Sequence, residues 1–343
     1  MQPSFVTLEQ IAAETNVSIS TVSRALTHPE RVNALTRDRV LAVALRMGYA
    51  PNQLARGLRQ RDSKTIGLIV SDILVRFHSE VAKGVEDVAQ THGYSLILCN
   101  SDENGDKEAQ YLELLSGFQV GGVILEPTER NRAAVEALTR AGIRVVEVDR
   151  ISGANGVSTV LSDNVGGAGL AAQHLLALGH KEFGLVIGNL DFTSARERHA
   201  GFQAALGAAH IHLEPSRVQS SMNTSVAGYR ATLELLRSEP SITALFVGNA
   251  QIMSGALRAI RELGLRIPKD VSVVCFDDTD WAAFIDPALT VVAQAAYDLG
   301  RVAAEIVFNK KPKHKTESIV RLPTQLIVRN STAKPSQRKG LKP

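Results

Sequence analysis

TLEQIAAETNVSISTVSRAL, residues 7–26, decides how the head of this chain folds. Thr7 precedes Leu8, Ile11 and Ala12 at helical spacing and can accept a backbone N–H as a cap. Ser18 stands in the same relation to a second helix, whose apolar side is Val22, Ala25 and Leu26. Asn16-Val17 leaves room only for a tight turn between them. Two short helices joined this way form a helix-turn-helix, whose second helix presents its first turns to base edges in the major groove. The same outline also fits two packed helices with no nucleic-acid role.

Working outward, Thr36 reads as the cap of a third helix, with Val40, Val43, Ala44 and Met47 inward and Gly48 ending it. Pro51 breaks the chain, and residues 52–59 allow one more short helix before a polar linker. From Thr65 the pattern changes. Apolar runs of strand length (66–70, 95–99, 122–125, 144–148, 182–187, 244–247, 271–275) alternate with amphipathic helical stretches. Such continuous strands imply parallel sheets covered on both faces. The runs fall into two groups, near 65–160 and 162–290. A helix is expected at 299–309, with late strands in 319–328 crossing back between lobes.

Composition bounds the function. The 343 residues exceed what one core usually serves. There is no apolar run of membrane length and no secretion signal at the start, so a cytoplasmic protein with no membrane role is expected. Cys99 and Cys275 sit in apolar runs and read as free buried thiols. The net charge of +3 is unevenly spread. Residues 1–61 carry eight arginines, no lysine and four acids; the tail from Ala333 adds four more positive charges, leaving 62–332 at −5. A basic head on an acidic body fits a polyanion-binding module joined to something else. No nucleophile elbow, phosphate-loop lysine motif or metal-ligand spacing appears, so neither enzymatic activity nor a cofactor is expected.

Segments of the chain resemble the lactose-repressor (LacI/GalR) family of transcriptional regulators. They are VTLEQIA (6–12), VSISTVSRAL (17–26), RVNALTRDRV (31–40), GYAPNQLARGLR (48–59), IGLIV (66–70), GYSLILCNSDE (93–103), SDNVGGAGLAAQHLLALGH (162–180), RHAGF (198–202) and GLRIPKDVSVVCFDDT (264–279). The resemblance covers nearly everything up to about residue 330. It implies a three-helix headpiece (1–50) and a hinge helix with linker (51–63). It further implies an α/β core with parallel sheets, like a periplasmic binding protein, in two lobes: 64–161 plus about 291–323, and 162–290 plus about 324–331. Residues 332–343 read as a basic disordered tail.

The resemblance implies roles for individual residues. Thr7, Ser18, Ile19, Ser20, Thr21, Ser23 and Arg24 would meet operator DNA in the major groove. Leu58 would wedge into the minor groove beside Asn52, Ala55, Arg56 and Arg59, bending the duplex. Asp149, Asn249 and Asp277 follow strands, where α/β sheets bind ligands, and match family contact positions, as does Arg198 in RHAGF. Carboxylates and an arginine suit a polyhydroxylated ligand. A helix cap is the other reading of each aspartate, and an ion pair that of Arg198. Secondary candidates are Asp72, Phe77, His78, Phe192, Ser194, Arg196, Asn223 and Trp281. Val75-Arg76-Phe77-His78 departs from the family's Asn-Pro-Phe-Phe, and Ala250 stands where many members carry aspartate. Arg150 and Arg196 beside Arg198 read as a charged face exposed to solvent, or else as the sign of an acidic or phosphorylated ligand.

The expected function is repression at a near-palindromic operator, controlled by a small effector between the lobes. A sugar or sugar derivative leads; a purine, nucleoside or acidic sugar is the alternative, and a sugar-binding protein without regulatory role the remote one. The tail lacks a leucine heptad, so a homodimer is expected rather than a tetramer.

Overall fold

The computed structural model describes residues 6–49, 63–309 and 318–336. The hinge positions Asn52, Ala55, Arg56, Leu58 and Arg59 lie outside the described residues. The chain divides into two compact units, Met1–Gln60 and Arg61–Pro343.

The first unit holds α1 (Leu8–Thr15), α2 (Ile19–Thr27) and α3 (Ala34–Arg46). Thr7 and Gln10 form a capping box on α1, and the Ser18 hydroxyl accepts the Thr21 N–H at the start of α2. Asn16 turns the chain between them in the left-handed conformation (φ 52°), which asparagine tolerates. α3 begins one turn earlier than Thr36 would place it. Asn33 caps it, its side chain accepting the Leu35 N–H, and Thr36 lies inside the helix. Ile11, Ala12, Val22, Ala25, Val40 and Ala44 form the buried core of this unit.

The second unit contains two six-stranded sheets. The first runs β11-β5-β4-β3-β1-β2 and the second β12-β10-β9-β8-β6-β7. In the first, β1 (Thr65–Val70), β2 (Ser95–Asn100), β3 (Val123–Leu125), β4 (Val145–Val148) and β5 (Ser158–Ser162) are all parallel. Their crossovers carry α4 (Arg76–Thr91), α5 (Gly105–Gly117) and α6 (Arg132–Arg140). The second sheet repeats the order with β6 (Phe183–Ile187), β7 (Val218–Ser220), β8 (Ala244–Val247), β9 (Ser272–Phe276) and β10 (Thr290–Ala293). Around it lie α7 (Asn164–Ala177), α8 (Thr193–Ala208), α9 (Ser225–Ser238), α10 (Ala250–Glu262) and the short α11 (Asp280–Phe284).

Three crossings join the lobes. The first follows β5. The second follows β10, which pairs with β9; the return therefore falls after Ala293 rather than near 291. α12 (Ala296–Phe308) then packs on the first lobe, where Gly84 of α4 and Gly300 of α12 let the two backbones touch. The third lies between β11 (Ile319–Leu322), parallel to β5, and β12 (Gln325–Ile327), antiparallel to β10. Each sheet has buried apolar clusters on both faces, as its uninterrupted apolar strands require. Cys99 and Cys275 are buried and free. Among the described residues no helix is long and apolar enough to cross a membrane.

The order within each sheet reverses between its first and third strands, β1 and β3 in one lobe and β6 and β8 in the other. Ligands bind beyond the carboxyl ends of strands at such switch points.

Candidate functional site

α2 carries the first candidate surface. Val22 and Ala25 turn inward, which leaves Ile19, Ser20 and Arg24 on the outer side. Ile19 is an exposed isoleucine, 47% accessible, at the helix start. Arg24 donates from Nε to the Ser20 carbonyl at 3.2 Å and extends along the same face. The hydroxyls of Thr7 and Ser18 hold the helix starts, while Thr21 and Ser23 are half-buried. The unit thus presents an apolar contact, a hydroxyl and a guanidinium from the first two turns of one helix, the donor and methyl set that reads base edges.

The second surface is a cleft of about 1240 Å³ between the two lobes. Asp72, Phe77, His78, Asp149, Phe192, Ser194, Arg196, Arg198, Asn223, Asn249 and Asp277 all line it. Trp281 does not. It lies on α11 and packs, partly buried, against the second lobe's core.

Each wall is built from loops that follow strands. After β1, Ser71 and Asp72 lead to His78. After β3 comes Glu126, after β4 come Asp149 and Arg150, and after β2 comes Glu103. His78 Nδ1 faces the Asp72 carbonyl at 2.6 Å, and Nε2 faces Glu126 Oε2 at 2.8 Å. Both ring nitrogens meet acceptors, so the ring is held as an imidazolium. Burial opposes that charge, but Glu126, the Asp72 carbonyl and Asp149 outweigh it and raise the His78 pKa to about 9. Glu126 is itself buried, yet His78 and Arg150 hold it well below the usual carboxylate range.

Arg150 is almost completely buried. Its Nη2 reaches Glu103 Oε1 at 2.9 Å and Glu126 Oε1 at 3.1 Å. Across the cleft, Phe192 lies 3.7 Å below its guanidinium carbon. Asp149 is sandwiched between Arg150 (3.8 Å) and Arg198 (4.0 Å). Burial and then the Glu126 charge push its carboxyl up, against the pull of the two arginines.

In the second lobe Arg198 donates to Asn164 Oδ1 at 2.8 Å and the Gly248 carbonyl at 2.7 Å, and it lies over the Phe276 ring. Asn249 is both cap and cleft residue. Its Oδ1 accepts the Ile252 N–H and its Nδ2 donates to Asn223. Asp277 accepts from Gln294 Nε2 at 2.5 Å. Arg196 is half-exposed and donates to the Leu190 carbonyl beside Glu129. Polar bridges span the cleft: Gln251 to Asp72 (3.2 Å), Asn223 to Glu103 (2.9 Å) and Thr193 to Glu129 (3.0 Å).

Five acids lining the cleft, Asp102, Glu103, Glu129, Asp149 and Asp277, have positive φ. L side chains rarely adopt that backbone, and it persists where surroundings impose it, most often at functional sites.

Sequence reasoning missed Glu103, Glu126, Glu129 and Gln294, and left Arg150 as a possible surface charge. Position relative to strand ends was the available signal: each of these five follows a strand within a few residues. Their partnership was not, because it forms only when distant loops converge.

The geometry agrees with comparisons to known proteins. Residues 7–52 match the bacterial regulatory proteins of the lacI family, and residues 172–332 match the periplasmic binding protein-like domain. Catabolite control protein A of Priestia megaterium is 34% identical over 329 residues, 95% of this chain and 99% of that protein. The HTH-type transcriptional repressor PurR of Haemophilus influenzae (strain PittEE) is 32% identical over 332 residues, covering 95% and 98%. Among solved structures, the lac repressor dimer bound to operator and the anti-inducer ONPF superposes with a TM-score of 0.82 at 28% identity, over 96% of this chain and all of that one. A CelR–cellobiose complex gives 0.73 at 30% identity, over 95% and 99%. With a helix-turn-helix reader and a two-lobed α/β core matched along almost its whole length, the chain belongs to the lacI family of bacterial regulatory proteins, the DNA-binding regulators of transcription.

Proposed function

We infer that this regulator is a repressor acting as a homodimer on a near-palindromic operator, and that its hold on DNA is set by a neutral polyhydroxylated ligand, a sugar or sugar derivative, taken between the lobes. One observation carries the ligand class. Asp149 Oδ1, Gln294 Oε1 and Arg150 Nε and Nη1 are buried side-chain atoms at the cleft that make no hydrogen bond among the described residues. Each such atom costs roughly 1–3 kcal/mol until it finds a partner. These acceptors and donors line one cleft, and a hydroxyl serves both.

The arginines favour a neutral ligand over an acidic one. Arg150, Arg196 and Arg198 each already face carboxylates or carbonyls, and among the described residues nine acids line the cleft against four arginines and the His78 imidazolium. An anion would meet net repulsion. The relatives support a sugar: the CelR structure holds cellobiose, and a family member from Enterococcus faecium, 30% identical, holds ribose. No catalytic step belongs to this reading. DNA contacts fall to Ile19, Ser20, Thr21 and Arg24, with Leu58 as the minor-groove wedge by resemblance.

A ligand shifts the DNA-binding equilibrium only through different affinities for two states. The test is thermal protection of the purified protein by neutral sugars, sugar acids, sugar phosphates and nucleobases, with operator binding then measured against salt. A neutral sugar should raise the melting temperature and change operator affinity. Protection confined to acids, phosphates or nucleobases overturns the ligand class, and equal binding to operator and random duplex overturns the regulator's specificity.

A further inference from the structure

A hydrogen-bond chain crosses the cleft in one fixed direction. It begins at α10, where the Ile252 N–H donates to Asn249 Oδ1 at 2.8 Å. That contact fixes which end of the Asn249 amide is oxygen. Asn249 Nδ2 therefore donates onward to Asn223 Oδ1 at 2.7 Å, which orients the second amide in turn. Asn223 Nδ2 then donates to Glu103 Oε1 at 2.9 Å, in the other lobe and 120 residues away. Glu103 ends the chain as an acceptor and receives Arg150 Nη2 at 2.9 Å on the same oxygen. Neither amide can flip without setting two oxygens or two NH2 groups face to face.

The loop that presents Glu103 has an uncommon backbone. Asp102 and Glu103 are consecutive non-glycine residues with φ of 53° and 55°. A glutamate seldom sits in the left-handed region unless its surroundings hold it there. Here the carboxylate meets Arg150 and Asn223 from opposite sides of the cleft. Arg150 in turn has no hydrogen-bond partner for Nε or Nη1 among the described residues, Nε lying 3.8 Å from Asp149 Oδ2.

We propose that Glu103 and Asn223 are positioning residues of the effector cleft. Glu103 grips the Nη2 corner of Arg150 and so fixes the guanidinium with Nη1 left for the ligand. Asn223, oriented by Asn249, ties the second lobe to the first. The proposal rests on the cleft being the ligand site, but the tie between lobes is testable without any ligand.

Polarity supplies the test. Asn223→Asp still accepts from Asn249 but sets a carboxylate against Glu103. Hydrogen exchange of the full chain, read by mass spectrometry on peptides covering residues 101–104 and 221–224, should then speed up about tenfold or more, the scale of one charge-assisted hydrogen bond lost. Glu103→Gln keeps an oxygen where Asn223 and Arg150 both donate and loses only the charge. Its exchange should rise by about threefold at most, less than in Asn223→Asp, because a neutral oxygen still accepts both donors, more weakly. Were Glu103 needed only as a charge, Glu103→Gln would exchange as fast as Asn223→Asp. Exchange unchanged in Asn223→Asp, or equally fast in Glu103→Gln, overturns the proposal. If Asn223→Asp does not fold, Glu103→Leu carries the same test, since it strands both donors and should speed exchange in both loops; unchanged exchange there overturns the proposal equally. Because this readout uses no effector, a failed ligand screen would sink the reading of the cleft and leave the tie between lobes to be judged separately.

Discussion

Asp149 and Asp277 occupy the same place in the two lobes. Each follows the fourth strand of its sheet, β4 or β9, and each has a positive φ, 62° and 82°. The repeated strand order thus brings two strained aspartates to one cleft from opposite sides. Asp149 is the deeper, buried between two arginines. Asp277 is half-buried and held by Gln294.

That placement chooses the variants. Asparagine tolerates the left-handed backbone, whereas alanine would add strain and confuse the result. Asp149→Asn and Asp277→Asn should each weaken the ligand found by screening about tenfold or more, the worth of a hydrogen bond to a charged group. Calorimetric titration measures this. Operator binding without ligand should stay near normal, and unchanged ligand affinity in both variants would remove the aspartates from the site.

Arg150→Lys tests the stacked arginine. Lysine keeps the charge but cannot fork between Glu103 and Glu126 while lying flat on Phe192. Unfolding by urea should show a loss of about 1–3 kcal/mol, because buried acceptors lose a partner. Ligand affinity should fall with it. A lysine variant as stable and as responsive as the wild type would mean that the fork contributes nothing.

Local features of this fold were legible in the sequence and convergent ones were not. Thr7 and Ser18 announce their helices because a cap acts within three residues. Thr36 misleads for the same reason: Asn33, one turn earlier, is an equally good cap and α3 uses it. β7 escapes notice because Val218–Ser220 has no apolar run, lying half-buried at a sheet edge. Trp281, a secondary candidate for the ligand site, instead packs from α11 against the core. The Glu103–Arg150–Glu126–His78 network joins residues that follow four different strands, His78 from the first turn of α4, and nothing in the spacing of those residues encodes their meeting.

The buried His78–Glu126 pair makes stability depend on pH with a defined sign. The His78 pKa is raised to about 9 from an ordinary 6.5, so its contribution is complete below about 6.5 and is lost as pH rises through about 9. Glu126 is shifted the other way, so its contribution is present above its ordinary 4.5 and is lost as pH falls into the acid range. The melting-temperature gap between the wild type and His78→Gln should therefore be widest near pH 6 and shrink steadily towards pH 9.5, following the about-9 value. A gap that stays constant over that range would show that His78 is not charged in the folded protein.

The headpiece separates contact from folding. Arg24 is exposed on α2, so Arg24→Ala should leave the fold intact and weaken operator binding. If Arg24 holds a phosphate, the slope of log affinity against log salt should fall by about one; if it reads a guanine, the loss should be confined to one base position. Ile11 is fully buried in a core of six residues, and Ile11→Ala should cost about 2–5 kcal/mol there. So small a core has little stability to lose. Ile11→Ala should therefore abolish operator binding at any salt while the cleft still takes its ligand with unchanged affinity. Normal operator binding by Ile11→Ala would show that the three helices draw their stability from somewhere other than this core.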